Sequence, residues 1–164
     1  MNQDDPEALR ALAAKIFDAA RAGDTALLED ALAHGLPLEI RNERGDGLLM
    51  LAAYHGREAA VRLLLDRGAD PDRANDHGQV PLAGAVFKEA TAVVEALLEG
   101  GAQPDAAGPD GRTPLMLAAM LNRDMMVQRL LDAGADRTRR DATGKTAAEM
   151  ARSMGARNAL ALLE

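Results

Sequence analysis

From Ala20 to the C-terminus the apolar positions of this chain recur with a period of 33 residues, and no insertion breaks the register. Leu28, Val61, Val94, Val127 and Leu160 form one series; Leu32, Leu65, Leu98 and Leu131 form another. Glycines mark the same period twice, at Gly35, Gly68, Gly101 and Gly134 and at Gly45, Gly78, Gly111 and Gly144. A fixed period of this length is the signature of a repeat architecture in which each unit is one supersecondary element.

Two helical patterns follow one another inside a unit. The stretch "GRTPLMLAAM" predicts a first helix, capped by the Thr113 hydroxyl, with Pro114 at the first helical position where its missing N–H costs nothing. The stretch "RDMMVQRLLDAG" predicts a second, with Met126, Val127, Leu130 and Leu131 on one stripe and Gly134 as a left-handed terminator. The small pairs Ala52–Ala53 and Ala118–Ala119 let neighbouring helices approach closely. One such unit cannot bury its apolar face alone, so stacking supplies the stability.

Two units depart from the pattern. "GDGLLML" lacks the Thr-Pro pair, and "GQVPLAGAVFKE" puts Val80 at the cap and Gly84 inside the helix. Each departure predicts a local loss of roughly 1 kcal/mol and leaves the fold unchanged. At the N-terminal end, Asp5 and Pro6 predict a helix start. Leu9, Leu12, Ile16, Phe17 and Ala20 then predict one apolar face of a longer first helix that caps the stack. At the other end "GKTAAEMARSMGARNALALLE" stops once a second helix is complete, so the chain reads as a whole protein with both caps.

The residues "DGRTPLMLAAMLNRDMMVQRLLDAGAD" resemble the ankyrin repeat, with its "G-x-TPL-x-x-AA" opening and "LL-x-x-GAD" ending. The resemblance covers almost the whole chain. It implies an all-α ankyrin-repeat solenoid of helix-turn-helix units joined by β-hairpin-like turns. The chain is then a single domain, 1–164, with an N-terminal capping repeat at about 9–41, full repeats at 42–74, 75–107 and 108–140, and a C-terminal capping repeat at 141–164.

The same resemblance implies a curved stack whose concave side, made of turn tips and first helices, binds another protein without catalysis. Carried over by position, the tips are Arg44, Asp46, His77, Gln79, Asp110, Arg112, Thr143 and Lys145. The exposed ends of the first helices supply Arg21, Tyr54, His55, Phe87, Lys88, Met120, Leu121, Ser153 and Met154.

Composition narrows the function further. The net charge of −7 argues against a nucleic-acid partner, because phosphate binding needs a basic face. No apolar run approaches the roughly 20 residues of a membrane span. The acidic start "MNQDDPEALRALAAK" does not resemble a signal peptide, and a cytoplasmic location is expected. Arginine far outnumbers lysine, which suggests a GC-rich bacterial genome. The absence of cysteine removes thiol catalysis and cysteine metal sites.

Nothing in the sequence points to an enzyme, a cofactor or a metal. His34, His55 and His77 fall in different slots, and none has a partner at ligand spacing. "ATGKT" at 142–146 ends like a phosphate loop, but Arg139 stands where that loop needs glycine. Gly144, Lys145 and Thr146 are therefore the repeat's own turn and cap. "DPDRANDHG" has Pro81 where a calcium loop closes with a carboxylate, and reads as a polar hairpin.

Tyr54, Phe87 and Met120 share one slot of the unit, in a chain with only 2% aromatic residues. The core slots are filled by Leu, Val and Ala, so a row about 10 Å apart is expected on the concave side. Two readings stay open: an exposed apolar row that binds a partner, or side chains folded onto the next repeat as packing. The same row could pair two copies into a homodimer, although a monomer is expected. A second candidate is "RTRRDATGK", whose Arg137, Arg139, Arg140 and Lys145 form a basic tip. A solvated turn is the competing reading there.

Overall fold

The structure, a computed structural model, describes residues 5–164. Ten helices lie among them, in five pairs: α1 (Pro6–Ala22) and α2 (Thr25–Ala33), α3 (Leu48–Tyr54) and α4 (Glu58–Asp66), α5 (Pro81–Phe87) and α6 (Thr91–Glu99), α7 (Pro114–Met120) and α8 (Asp124–Asp132), and α9 (Ala147–Met154) and α10 (Arg157–Leu163). First helices pack on first helices, α1 on α3, α3 on α5, α5 on α7 and α7 on α9. Behind them α2 packs on α4, α4 on α6 and α8 on α10. The result is the all-α solenoid that the period predicts.

The core follows the register. Leu28, Val61, Val94 and Val127 are completely buried, as are Ala52, Ala53, Ala118 and Ala119. Leu32, Leu65, Leu98 and Leu131 are half-buried against them. Across the back, ion pairs tie one unit to the next, Arg67 to Glu29 and Arg62 to Glu99 at 2.8 Å each. All are exposed and individually weak.

The caps behave as the sequence predicts. Thr113 Oγ1 accepts from the Met116 N–H at 3.3 Å, and Thr146 Oγ1 from the Glu149 N–H at the same distance. Gly47 and Val80 cap α3 and α5 with no side-chain hydrogen bond. Gly134, at φ +91°, sits just past the end of α8 in the left-handed conformation.

Three of the hairpin tips are closed by a side chain at the base, and the third in chain order, with Gly108 there, is held by backbone bonds between Gly108 and Arg112 and between Gly111 and Gly108. Asn42 Oδ1 accepts from the N–H groups of Arg44 and Asp46, each at 2.9 Å. Asn75 does the same for His77 and Gln79, and Asp141 for Thr143 and Lys145. Tips also touch: the Asp76 N–H donates to Arg44 O, and the Ala142 N–H to Asp110 O. Pro109 holds the equivalent position between the second and third tips and has no N–H to give. Gly45 is required by both conformation and space. Its φ is +75°, and a Cβ there would stand 2.7 Å from the Asp76 nitrogen.

One expectation is corrected at the N-terminal end. Of the five residues expected on one apolar face, Ile16, Phe17 and Ala20 are buried, but Leu9 is 54% and Leu12 51% exposed. The reason is length. Residues 15–21 stand in register with the seven of α3, so the earlier part of the 17-residue α1 runs beyond that helix. There it lies beside the first hairpin tip and walls an open groove with Arg41–Arg44. No helix among the described residues is long and apolar enough to cross a membrane.

Candidate functional site

The side that the resemblance implies is concave is formed by the hairpin tips and the C-terminal ends of α3, α5 and α7. Tyr54 is 40% and Phe87 48% exposed there, large apolar surfaces that the core does not need. Met120, in the third copy of the slot, is half-buried and packs against the core, while Leu121 beside it is exposed. The row therefore has two open members, and its third serves packing.

Tyr54 carries polar company. Lys88 Nζ lies 4.7 Å from the centre of its ring, a cation–π distance, and His55 meets it edge-on at 5.5 Å. Burial, followed by the charges of Arg21, Arg57 and Lys88, pushes the His55 imidazole below its ordinary value.

Tyr54 separates two hollows. One, of about 250 Å³, gathers Arg21, Arg44, Asp46, His55 and Gln79. The other, of about 280 Å³, is apolar and is walled by Met50, Tyr54, Phe87 and Leu117 over Ala83 and Gly84. A third, of about 390 Å³, joins His77, Gln79, Asp110 and Arg112. The structure thus brings most of the anticipated residues to one surface.

Asp46, like Met120, is a correction. It was expected on the exposed tip, but it is buried. Its carboxylate accepts from Asn75 Nδ2 at 2.9 Å and Asn42 Nδ2 at 3.2 Å. It joins consecutive repeats and has little left to offer a partner. Asp110 is partly committed as well, accepting from the Arg112 N–H at 3.0 Å, with its other oxygen 3.5 Å from Arg112 Nε.

The basic tip lies in the last turn, where the Ala142 N–H donates to Asp110 O. Arg137, Arg139 and Lys145 are exposed. Arg140 is exposed too and bends over its own loop, donating to Gly144 O at 2.6 Å and pairing with Glu149 at 3.3 Å. Met50, Ala83, Gly84 and Leu117 escaped the sequence reading of the site. Their signal lies in the register: Met50-Leu51 and Met116-Leu117 flank an Ala83-Gly84 pair in the same two slots.

Helix pairs stacked at a 33-residue period, with hairpin tips beside the first helices, define a helical repeat protein. The family profile described as "Ankyrin repeats (3 copies)" matches residues 16–107, and that described as "Ankyrin repeat" matches 110–142. The chain belongs to the ankyrin repeat family, whose repeats are in general protein–protein interaction modules with a non-catalytic fold. It is also similar to an ankyrin repeat protein of Pseudomonas aeruginosa, 53% identical over 49 residues. That match covers 30% of this chain and 29% of the relative's length.

Proposed function

We propose that the chain, read as one domain of capped repeats with the boundaries given above, binds a partner protein on its concave face and holds or masks it without chemistry. Tyr54 and Phe87 are the anchors; His55, Lys88, Arg44, His77, Gln79 and Arg112 surround them. The partner is a protein, neither nucleic acid nor membrane, met in the cytoplasm. The observation that carries this reading is the pair of exposed aromatic rings beside open hollows, in a chain with three aromatic residues in all. Aromatic anchors set in pockets are the usual hot spots of interfaces.

The test is affinity capture from a native extract with wild type and with Tyr54→Glu/Phe87→Glu, both shown to be folded by circular dichroism. A protein retained by the wild type and lost by the variant supports the reading. Retention of every partner by the variant overturns it and moves attention to Arg137–Arg140. Sedimentation of the same two proteins over a range of concentrations tests the homodimer: a dimer that the variant abolishes would make the second copy the partner.

A further inference from the structure

Gly84 has no backbone reason to be glycine. It lies inside α5 and is absent from the glycines with positive φ. In a helix interior, glycine is less stable than almost any other residue. Space does not demand it either, since a Cβ there would meet Tyr54 Cδ2 at 3.5 Å, an ordinary contact. Leu51 and Leu117 fill its slot in the units on either side, and Met50 and Met116 fill the slot of Ala83. The middle unit therefore lacks two large side chains at the centre of the concave face. What their loss leaves is the apolar hollow of about 280 Å³ between Tyr54 and Phe87.

The neighbouring hollow shares Met50, Tyr54 and Gln79 with it and has the opposite character. Arg21 is paired with Asp18 at 2.7 Å, and Asp46 is taken up by two asparagines. Arg44 and Lys88 have no ion pair among the described residues, although the chain carries a net charge of −7. Two uncompensated cations thus stand beside an empty apolar hollow, with Tyr54 between them.

Building on the concave-face reading, we propose that the hollow over Gly84 receives a large apolar side chain of the partner, and that Arg44 and Lys88 receive a carboxylate from a nearby residue. The partner's contact is an extended acidic segment with an apolar anchor. An anchor enclosed at the centre of an interface contributes most of its affinity, and complementary charge selects the segment and speeds encounter.

A displayed library of random twelve-residue peptides, selected on the wild-type protein, tests this. The selected peptides are expected to share Leu, Ile, Met or Phe within a few residues of Asp or Glu. Gly84→Leu should weaken their binding at least tenfold while raising the thermal midpoint, because it restores the neighbours' residue and removes a helical glycine. Ala83→Met, which fills the hollow from the adjacent slot, should weaken binding in the same direction. Arg44→Glu/Lys88→Glu should weaken it and flatten its dependence on salt.

Peptides lost on Tyr54→Glu/Phe87→Glu but kept by both filling variants would overturn the anchor hollow and leave the concave face standing. Peptides indifferent to all these variants would overturn both. Selected peptides without an acidic residue, or a library that yields no binder, would overturn the acidic-segment assignment.

Discussion

Asn75 Nδ2 donates to Asp46 Oδ1 at 2.9 Å, and this buried bond ties the first hairpin tip to the second. The same Asn75 amide reaches Gln79 Oε1, while its oxygen accepts two N–H groups of its own turn. Asn75→Ala would leave the Asp46 carboxylate buried with one donor fewer and the turn without its acceptor. The expected loss is about 1–3 kcal/mol, the usual penalty for stranding a buried polar group. Asp46→Ala should cost a similar amount, and the double variant less than the sum, because the two residues share one interaction. Urea denaturation of the four proteins measures this. Full additivity would show that the bond contributes nothing.

Helix capping gives a pair of opposed expectations. Thr113→Val removes the acceptor for the Met116 N–H inside a buried turn, and should cost about 1 kcal/mol. Val80→Thr places a hydroxyl of nearly the same shape at the equivalent cap of α5, where no side chain now serves. It should recover part of that amount. Thermal melts of both variants settle the matter, and a fall in the Val80→Thr midpoint would show that burying the hydroxyl outweighs the cap.

The solenoid was legible because each of its determinants is local and repeats in register. Buried valines, alanine pairs and terminating glycines all sit where the 33-residue period puts them. What escaped the sequence depends on what lies opposite a residue. Leu9 and Leu12 continue the stripe of Ile16 and Ala20, yet only the structure shows that α1 outruns the helix it packs on. Asp46 has the polarity of a tip residue, and its burial comes from an asparagine 29 positions away. Met120 and Tyr54 share a slot, but one lies against the core and the other stands in solvent. Gly84 looked like a weak point in a helix, and only its neighbours reveal a hollow.

Acid should loosen the last turn first. The Asp141 carboxylate accepts from the Lys145 N–H at 3.0 Å, the Thr143 hydroxyl at 2.7 Å and the Thr143 N–H at 2.9 Å. These donors, with Arg112 nearby, hold it below the usual carboxylate range, the Lys145 N–H contributing most. A depressed folded-state value contributes stability that is fully present above the unfolded value of about 3.9. That stability is lost as pH falls through the folded-state value. Asp141→Asn should therefore lower stability at neutral pH and flatten its decline in acid. The slope should shrink without vanishing, because Asp136 and Glu149 are depressed as well. An unchanged acid slope in urea titrations would refute the assignment.

His55 reports on the electrostatics of the concave face. Burial is the largest cause of its lowered value, with Arg21, Arg57 and Lys88 adding in the same direction. A histidine with a lowered folded-state value makes the fold less stable as pH falls through its unfolded value near 6.5, and His55→Gln should remove that component. In NMR titrations of the ring protons, the His55 midpoint should lie below 6.5 in the wild type. It should rise in Lys88→Gln but remain depressed, since burial persists. A carboxylate brought close by a bound acidic peptide should also raise it, because an opposite charge favours the imidazolium. A midpoint that Lys88→Gln leaves in place would mean that the Lys88 charge is screened from the ring. Lys88 would then drop out of the cationic character assigned to this side of Tyr54.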